Sequence, residues 1–135
     1  MTPTAGREKS LDFSTPYLAA PPGVVVKPGT RARDLYDLRR LRWAVLETST
    51  LRDVVEDRVR PLEDPQVVGS RGDALALIDR GDVDAMLLDL PVGLALNRSA
   101  PDRYAVIAQL PGAEGLAVAL PQGSSNAQAV DSAVR

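Results

Sequence analysis

Ser70-Arg71-Gly72-Asp73-Ala74-Leu75-Ala76-Leu77-Ile78-Asp79-Arg80-Gly81-Asp82-Val83-Asp84-Ala85-Met86-Leu87-Leu88-Asp89-Leu90-Pro91 holds a complete structural statement. Ser70 and Asp73 stand at the Ser-x-x-acid spacing that satisfies the first free amides of a helix. Ala74, Leu75, Leu77 and Ile78 supply its apolar stripe, and Gly81 the left-handed residue that ends it. Ala85 to Leu88 is an unbroken apolar run, the pattern of a strand covered on both faces. Pro91 then opens a second helix where its missing N–H costs nothing. Helix, buried strand, helix: this stretch predicts an α/β layer structure.

The same alternation continues outward. Upstream, Val24 to Val26 is a β-branched run held between Pro21-Pro22-Gly23 and Pro28-Gly29, and reads as a strand. Residues 32–40 predict a short helix and 42–46 a strand. Leu51, Val54, Val55 and Val59 form a helical stripe, and 66–69 is a further strand. Downstream, 104–110 and 116–120 read as strands. Short connections between alternating elements predict an open, doubly wound, mostly parallel five-stranded sheet with helices on both faces. Residues 1–22 read as a leader and 121–135 as a tail.

A chain of 135 residues, 44% hydrophobic, is long enough for one domain with a real core. Sixteen basic and 18 acidic side chains give a net charge of -2, so no global positive field favours nucleic acid or an anionic membrane. Cys and His are absent, which excludes Cys/His zinc sites, thiol nucleophiles and imidazole-based triads within this chain. No apolar run reaches the roughly 18 residues of a membrane span. Met1-Thr2-Pro3-Thr4 lacks the charged and apolar regions of a signal peptide. Neither GxGxxG nor GxxxxGK[ST] occurs, so no nucleotide cofactor is expected. Carboxylates, hydroxyls and arginines are the remaining tools.

Ligands of open α/β sheets sit beyond the carboxyl ends of the strands. Two such ends carry polar groups. After Leu46 come Glu47, Thr48, Ser49 and Thr50 and then a helix, whose free amides and partial positive charge suit a carboxylate. The competing reading is a plain capping box of Thr50 and Asp53. After Leu88 comes Asp89, suited to a cation or, alternatively, to capping the Pro91 helix. Taken together, the two ends complement a zwitterionic amino acid. Arg39, Arg40 and Arg42 read as a solvated turn, Glu56, Asp57, Glu63 and Asp64 as exposed acids, and Trp43 and Tyr104 as core or rim. Asp79, Asp82 and Asp84 do not match calcium-loop spacing.

Four segments, in order, resemble one family: the type 3 extracellular solute-binding proteins, amino-acid receptors of ABC importers. Arg7-Glu8-Lys9-Ser10-Leu11-Asp12-Phe13-Ser14-Thr15-Pro16-Tyr17 is similar to its R-x-K-x-x-D-F-S-x-P-Y signature. Asp37-Leu38 with Trp43 to Thr50 resembles D-L-x-G-K-x-V-x-V-x-x-G-[ST]-[ST]. Residues 74–91 resemble A-L-x-x-L-x-x-G-x-V-D-A-x-x-x-D-x-P, and 115–124 the returning Y-G-I-A-V-P-K-G.

The resemblance implies one lobe of a two-lobed, type II periplasmic-binding-protein fold. Residues 23–115 would be the ligand-binding second lobe, 1–22 the outgoing hinge with a remnant of lobe one, and 116–135 the returning hinge with a partial lobe-one segment. It implies that Ser49 and Thr50 hold a ligand α-carboxylate, that Leu46 offers its backbone, and that Asp89 receives the α-ammonium group. Thr48 stands where the family has Gly. Glu47 stands where it often has Gln, which either repels a carboxylate or favours a basic ligand. An arginine clamp and an aromatic wall would come from lobe one, whose absence would leave an apolar face open to self-association. The implied partners are an amino acid and the importer's membrane subunits, the location extracytoplasmic, and the activity non-enzymatic with no cofactor. Two alternatives share the fold: a lobe of a cyclohexadienyl-dehydratase-like enzyme, and a sensory or interaction module of a receptor.

Overall fold

The apolar runs lie in regular elements of the computed structural model, which describes residues 1–111 and 114–135. In chain order these are β1 (Leu11–Phe13), β2 (Leu18–Ala20), β3 (Pro22–Val26), α1 (Leu35–Arg40), β4 (Ala44–Leu46), α2 (Thr50–Val54), β5 (Gln66–Val68), α3 (Arg71–Arg80), β6 (Ala85–Asp89), α4 (Leu90–Ser99), β7 (Ala105–Gln109), β8 (Glu114–Leu116), β9 (Ala119–Pro121) and α5 (Ala127–Val134). They fall into two units, Pro22–Pro111 and the paired ends Met1–Pro21 with Gly112–Arg135.

Local chemistry explains the helix ends. The Ser70 hydroxyl accepts the Asp73 amide at 3.1 Å and opens α3. Gly81, at φ 78°, closes it, with its own amide on the Ile78 carbonyl and the Asp82 amide on that of Leu77. Asp34 begins α1 by accepting the Asp37 amide at 2.8 Å. The stripe from Leu51 to Val59 forms as expected, but only its first part is α-helical. Val55–Val59 widens into a π-turn, because the Arg60 amide reaches back to the Val55 carbonyl and Arg60 turns left-handed at φ 53°.

In the larger unit β3 is central, paired with β6 on one side and β7 on the other, and β4 pairs with β5. A parallel bridge from Trp43 to Ala85 joins the two ladders. The five-stranded, mostly parallel sheet with helices on both faces is therefore present. Its exception is β3, which runs antiparallel to both neighbours. One face packs Val24, Val26, Trp43, Val45, Ala85 and Leu87 against α1, α2 and the π-turn. The other packs Val25, Ala44, Met86 and Leu88 against α3 and α4. Trp43 is core, its indole N–H donating to the Leu38 carbonyl at 2.9 Å. Tyr104 is also buried, its hydroxyl donating to Asp79 at 2.9 Å while Arg103 pairs with the same carboxylate.

Arg42 departs from the expected solvated turn. Its amide (2.8 Å), Nε (3.2 Å) and Nη2 (3.0 Å) all donate to the Asp84 carboxylate, and Nη2 also reaches the Gly81 carbonyl. Burial alone would raise the Asp84 carboxyl, but these hydrogen bonds outweigh it and hold it below its ordinary value.

In the smaller unit β1 pairs with β9 and β2 with β8, both antiparallel. The single strand expected over 116–120 is two, because Val118 turns both its polar backbone groups to Ser14: its amide donates to the hydroxyl and its carbonyl accepts the Ser14 amide, each at 3.0 Å. Asp131 on α5 accepts the Thr15 amide and hydroxyl at 2.6 and 2.7 Å. Gly115 lies against Pro16 so closely that a Cβ would stand 2.3 Å from the proline Cβ. Among the described residues no helix is long and apolar enough to cross a membrane.

Two substitutions test these constraints. Gly81→Ala keeps the fold but forces a side chain into the left-handed region, costing about 1–2 kcal/mol in urea denaturation. Gly115→Ala overpacks the Pro16 contact and costs about 1–3 kcal/mol, with the loss of amide protection concentrated in β2 and β8.

Candidate functional site

The candidate residues sit where two parallel strands end. Leu46 is the last residue of β4 and packs inward; Glu47 follows, its amide on the Val68 carbonyl at 3.0 Å and its side chain exposed. Thr48 is exposed. Ser49 is the cap of α2: its hydroxyl accepts the Leu51 amide at 3.2 Å. Thr50 is the first helical residue, so the capping box of Thr50 with Asp53 does not form.

Asp89 ends β6 and precedes α4, yet its side chain makes no capping hydrogen bond. The rival reading of this acid as a helix cap therefore fails on its side chain. Partial burial, with nothing donating to it from α4, pushes its carboxyl above the ordinary value.

Strand direction brings the two ends to one edge. The parallel bridge from Trp43 to Ala85 makes β4 and β6 run the same way, so Glu47 and Asp89 both lie at strand ends on the same edge of the sheet. Side chains alternate along strands, and Trp43, Val45, Ala85 and Leu87 share the face that α2 covers. Asp89, still within β6, continues that series, whereas Glu47 lies in the turn that follows β4. Leu46 belongs to the opposite face, which leaves its backbone as its contribution at the edge.

Two neighbours carried no obvious sequence signal beyond spacing. Arg52, one turn into α2, donates to Glu56 at 2.8 Å, a pair visible only as an i, i+4 separation. A void of about 10 Å³ lies beneath Ser49, Leu51 and Leu87, room for a water at most. Among the described residues no group of three or more acids is placed to hold a metal ion.

No protein-family model matches the sequence, and no curated protein does. Solved structures match it closely in fold. An ancestral arginine-binding protein bound to glutamine has 28% identity and a TM-score of 0.84, over 99% of this chain and 60% of that one. The arginine-, lysine-, histidine-binding protein ArtJ from Geobacillus stearothermophilus has 25% identity and a TM-score of 0.84, over 99% and 59%. AbpA from Streptococcus pneumoniae, an amino acid ABC transporter substrate-binding protein bound to L-arginine, has 26% identity and 0.81, over 99% and 58%. The chain spans about 60% of the length of these neighbours. It has the fold of the amino-acid substrate-binding proteins of ABC transporters, as the four sequence segments imply.

The raised Asp89 carboxyl sets a sign. Its charged form is disfavoured in the folded state, so stability is greatest below the ordinary carboxylate value and falls as pH rises through the raised one. Asp89→Asn removes that fall: the variant melts at or above the parent at pH 7, and the difference closes towards about pH 3.

Proposed function

We propose that this chain binds an α-amino acid at the carboxyl ends of β4 and β6, as part of a solute receptor for an ABC importer. The observation that carries the reading is the unspent, partly buried Asp89 carboxylate at the end of β6, with α2 beginning after the end of the parallel strand β4. Ser49, Thr50 and the free amides of α2 suit the ligand α-carboxylate. Asp89 suits the α-ammonium group, and the Leu46 backbone lines the edge between them. Residues 23–115 act as the gripping lobe, with 1–22 and 116–135 as flanking hinge segments.

Glu47 sharpens the ligand class. Exposed just past the end of β4, it adds a second carboxylate at this edge, which favours a ligand with a second cationic group. On that ground arginine or lysine suits this edge better than glutamine; the solved neighbours include arginine-bound and glutamine-bound proteins. The importer's membrane subunits are the partner this reading implies, and the extracytoplasmic space its location. The work is capture and release, with no bond made or broken.

Titration of the chain with arginine, lysine and glutamine into the millimolar range, followed by calorimetry or amide chemical shifts, tests this. Arginine binds, and Asp89→Ala weakens it about thirtyfold or more, as for truncation of a hydrogen-bonded charge pair. Glu47→Gln lowers the arginine preference over glutamine about two- to fivefold, the scale of an exposed ion pair. Absence of binding by every amino acid overturns the reading.

A further inference from the structure

The charge of the chain is strongly segregated. Residues 27–42 carry six basic and two acidic side chains, while the remainder carries 10 and 16. The two acids of that segment are engaged at the start of α1, Asp34 exposed and Asp37 partly buried. Asp34 accepts the Asp37 amide at 2.8 Å, and Asp37 accepts the Arg33 amide at 2.9 Å, so both serve the first turn of α1. The arginines are not consumed in the same way. Arg31 and Arg40 are exposed, and the Arg33 side chain, 91% exposed, touches Asp37 only at 3.4 Å.

Apolar surface lies beside this charge. Leu35 and Tyr36 on α1 are 50% and 60% exposed. Leu35, with Ala32, Leu38, Leu110 and Pro111 and with Asp34 at its border, lines an open concavity of about 340 Å³ between α1 and the end of β7. Arg31, Arg33 and Arg40, with Asp37 among them, line a second one of about 540 Å³, and Arg33 borders both. These residues all belong to the Pro22–Pro111 unit, and none is among the candidate ligand contacts.

We propose that this face of α1 docks a segment of a partner protein that carries an apolar side chain followed closely by carboxylates. The apolar concavity takes the anchor, and the guanidinium groups of Arg31, Arg33 and Arg40 take the carboxylates in the fork geometry that arginine favours. Complementary charge selects an acidic partner, since the patch opposes the sign of the rest of the chain. Concavity selects a folded or extended polypeptide over a lipid surface, because an inserted side chain fills a hollow that a bilayer leaves open. The inference does not depend on the amino-acid reading.

The test is selection of a random peptide library displayed on phage against the immobilised 135-residue chain. Enriched peptides pair Leu, Ile, Met or Phe with neighbouring Asp or Glu. A synthetic copy of the most enriched one binds about tenfold more weakly to Arg31→Glu/Arg33→Glu, more weakly at high salt, and unchanged to Arg98→Glu. Both variants are checked for an unaltered melting temperature; if the double variant is destabilised, Leu35→Ser supplies the same comparison. Peptides without acidic residues, no enrichment, or binding that survives the charge reversal overturn the proposal. So does Arg31- and Arg33-dependent sedimentation with phosphatidylserine vesicles in the absence of peptide binding, which assigns the patch to a membrane.

Discussion

One ion pair holds the larger unit in register. The β6-β3-β7 ladder and the β4-β5 ladder meet at the bridge between Trp43 and Ala85, and the Arg42–Asp84 clamp sits one residue before it on each strand. Three donors of Arg42 converge on one carboxylate, a geometry stronger than a single-point surface contact. A slip by one residue would send Trp43 to the wrong face and strand its indole N–H, so packing and charge enforce the same alignment. The same bridge makes β4 and β6 parallel, so Glu47 and Asp89 lie at strand ends on one edge of the sheet.

Much of this was legible in the residues themselves. Ser70, Asp73 and Gly81 announce both ends of α3 because caps are local: the groups that satisfy the helix termini are neighbours in sequence. The direction of β3 was not legible. Val24 to Val26 reads as a buried strand whichever way it runs, and only its pairing with Leu87 and Ala108 decides the matter. The division of 116–120 into β8 and β9 was hidden for the same reason. It depends on Ser14, more than a hundred residues away, competing for the backbone of Val118.

At the candidate site, sequence alone could not choose between capping and binding. Ser49 and Asp89 occupy the same position at their helices, and both residue types are good caps. The structure separates them: the Ser49 hydroxyl is engaged with Leu51, while the Asp89 carboxylate is not engaged with α4. Pro91 offers part of the reason, since its nitrogen has no hydrogen to donate. The charge of Asp89 is therefore left over after folding, and a burial cost without a local return is what perturbs groups at functional sites.

The central position of β3 carries a consequence for how the chain is made. All five of its residues are buried, and its partners are residues 85–89 and 105–109. Emerging from the ribosome well before either, it remains an unpaired apolar ribbon until at least some sixty further residues have followed. The segment that leaves the tunnel early is then the last to be enclosed, and its amides exchange with solvent only when the whole unit opens. Pro21 before it and Pro28-Gly29 after it act in that interval as guards, since a strand bounded by residues that do not extend a ladder is a poor template for aggregation.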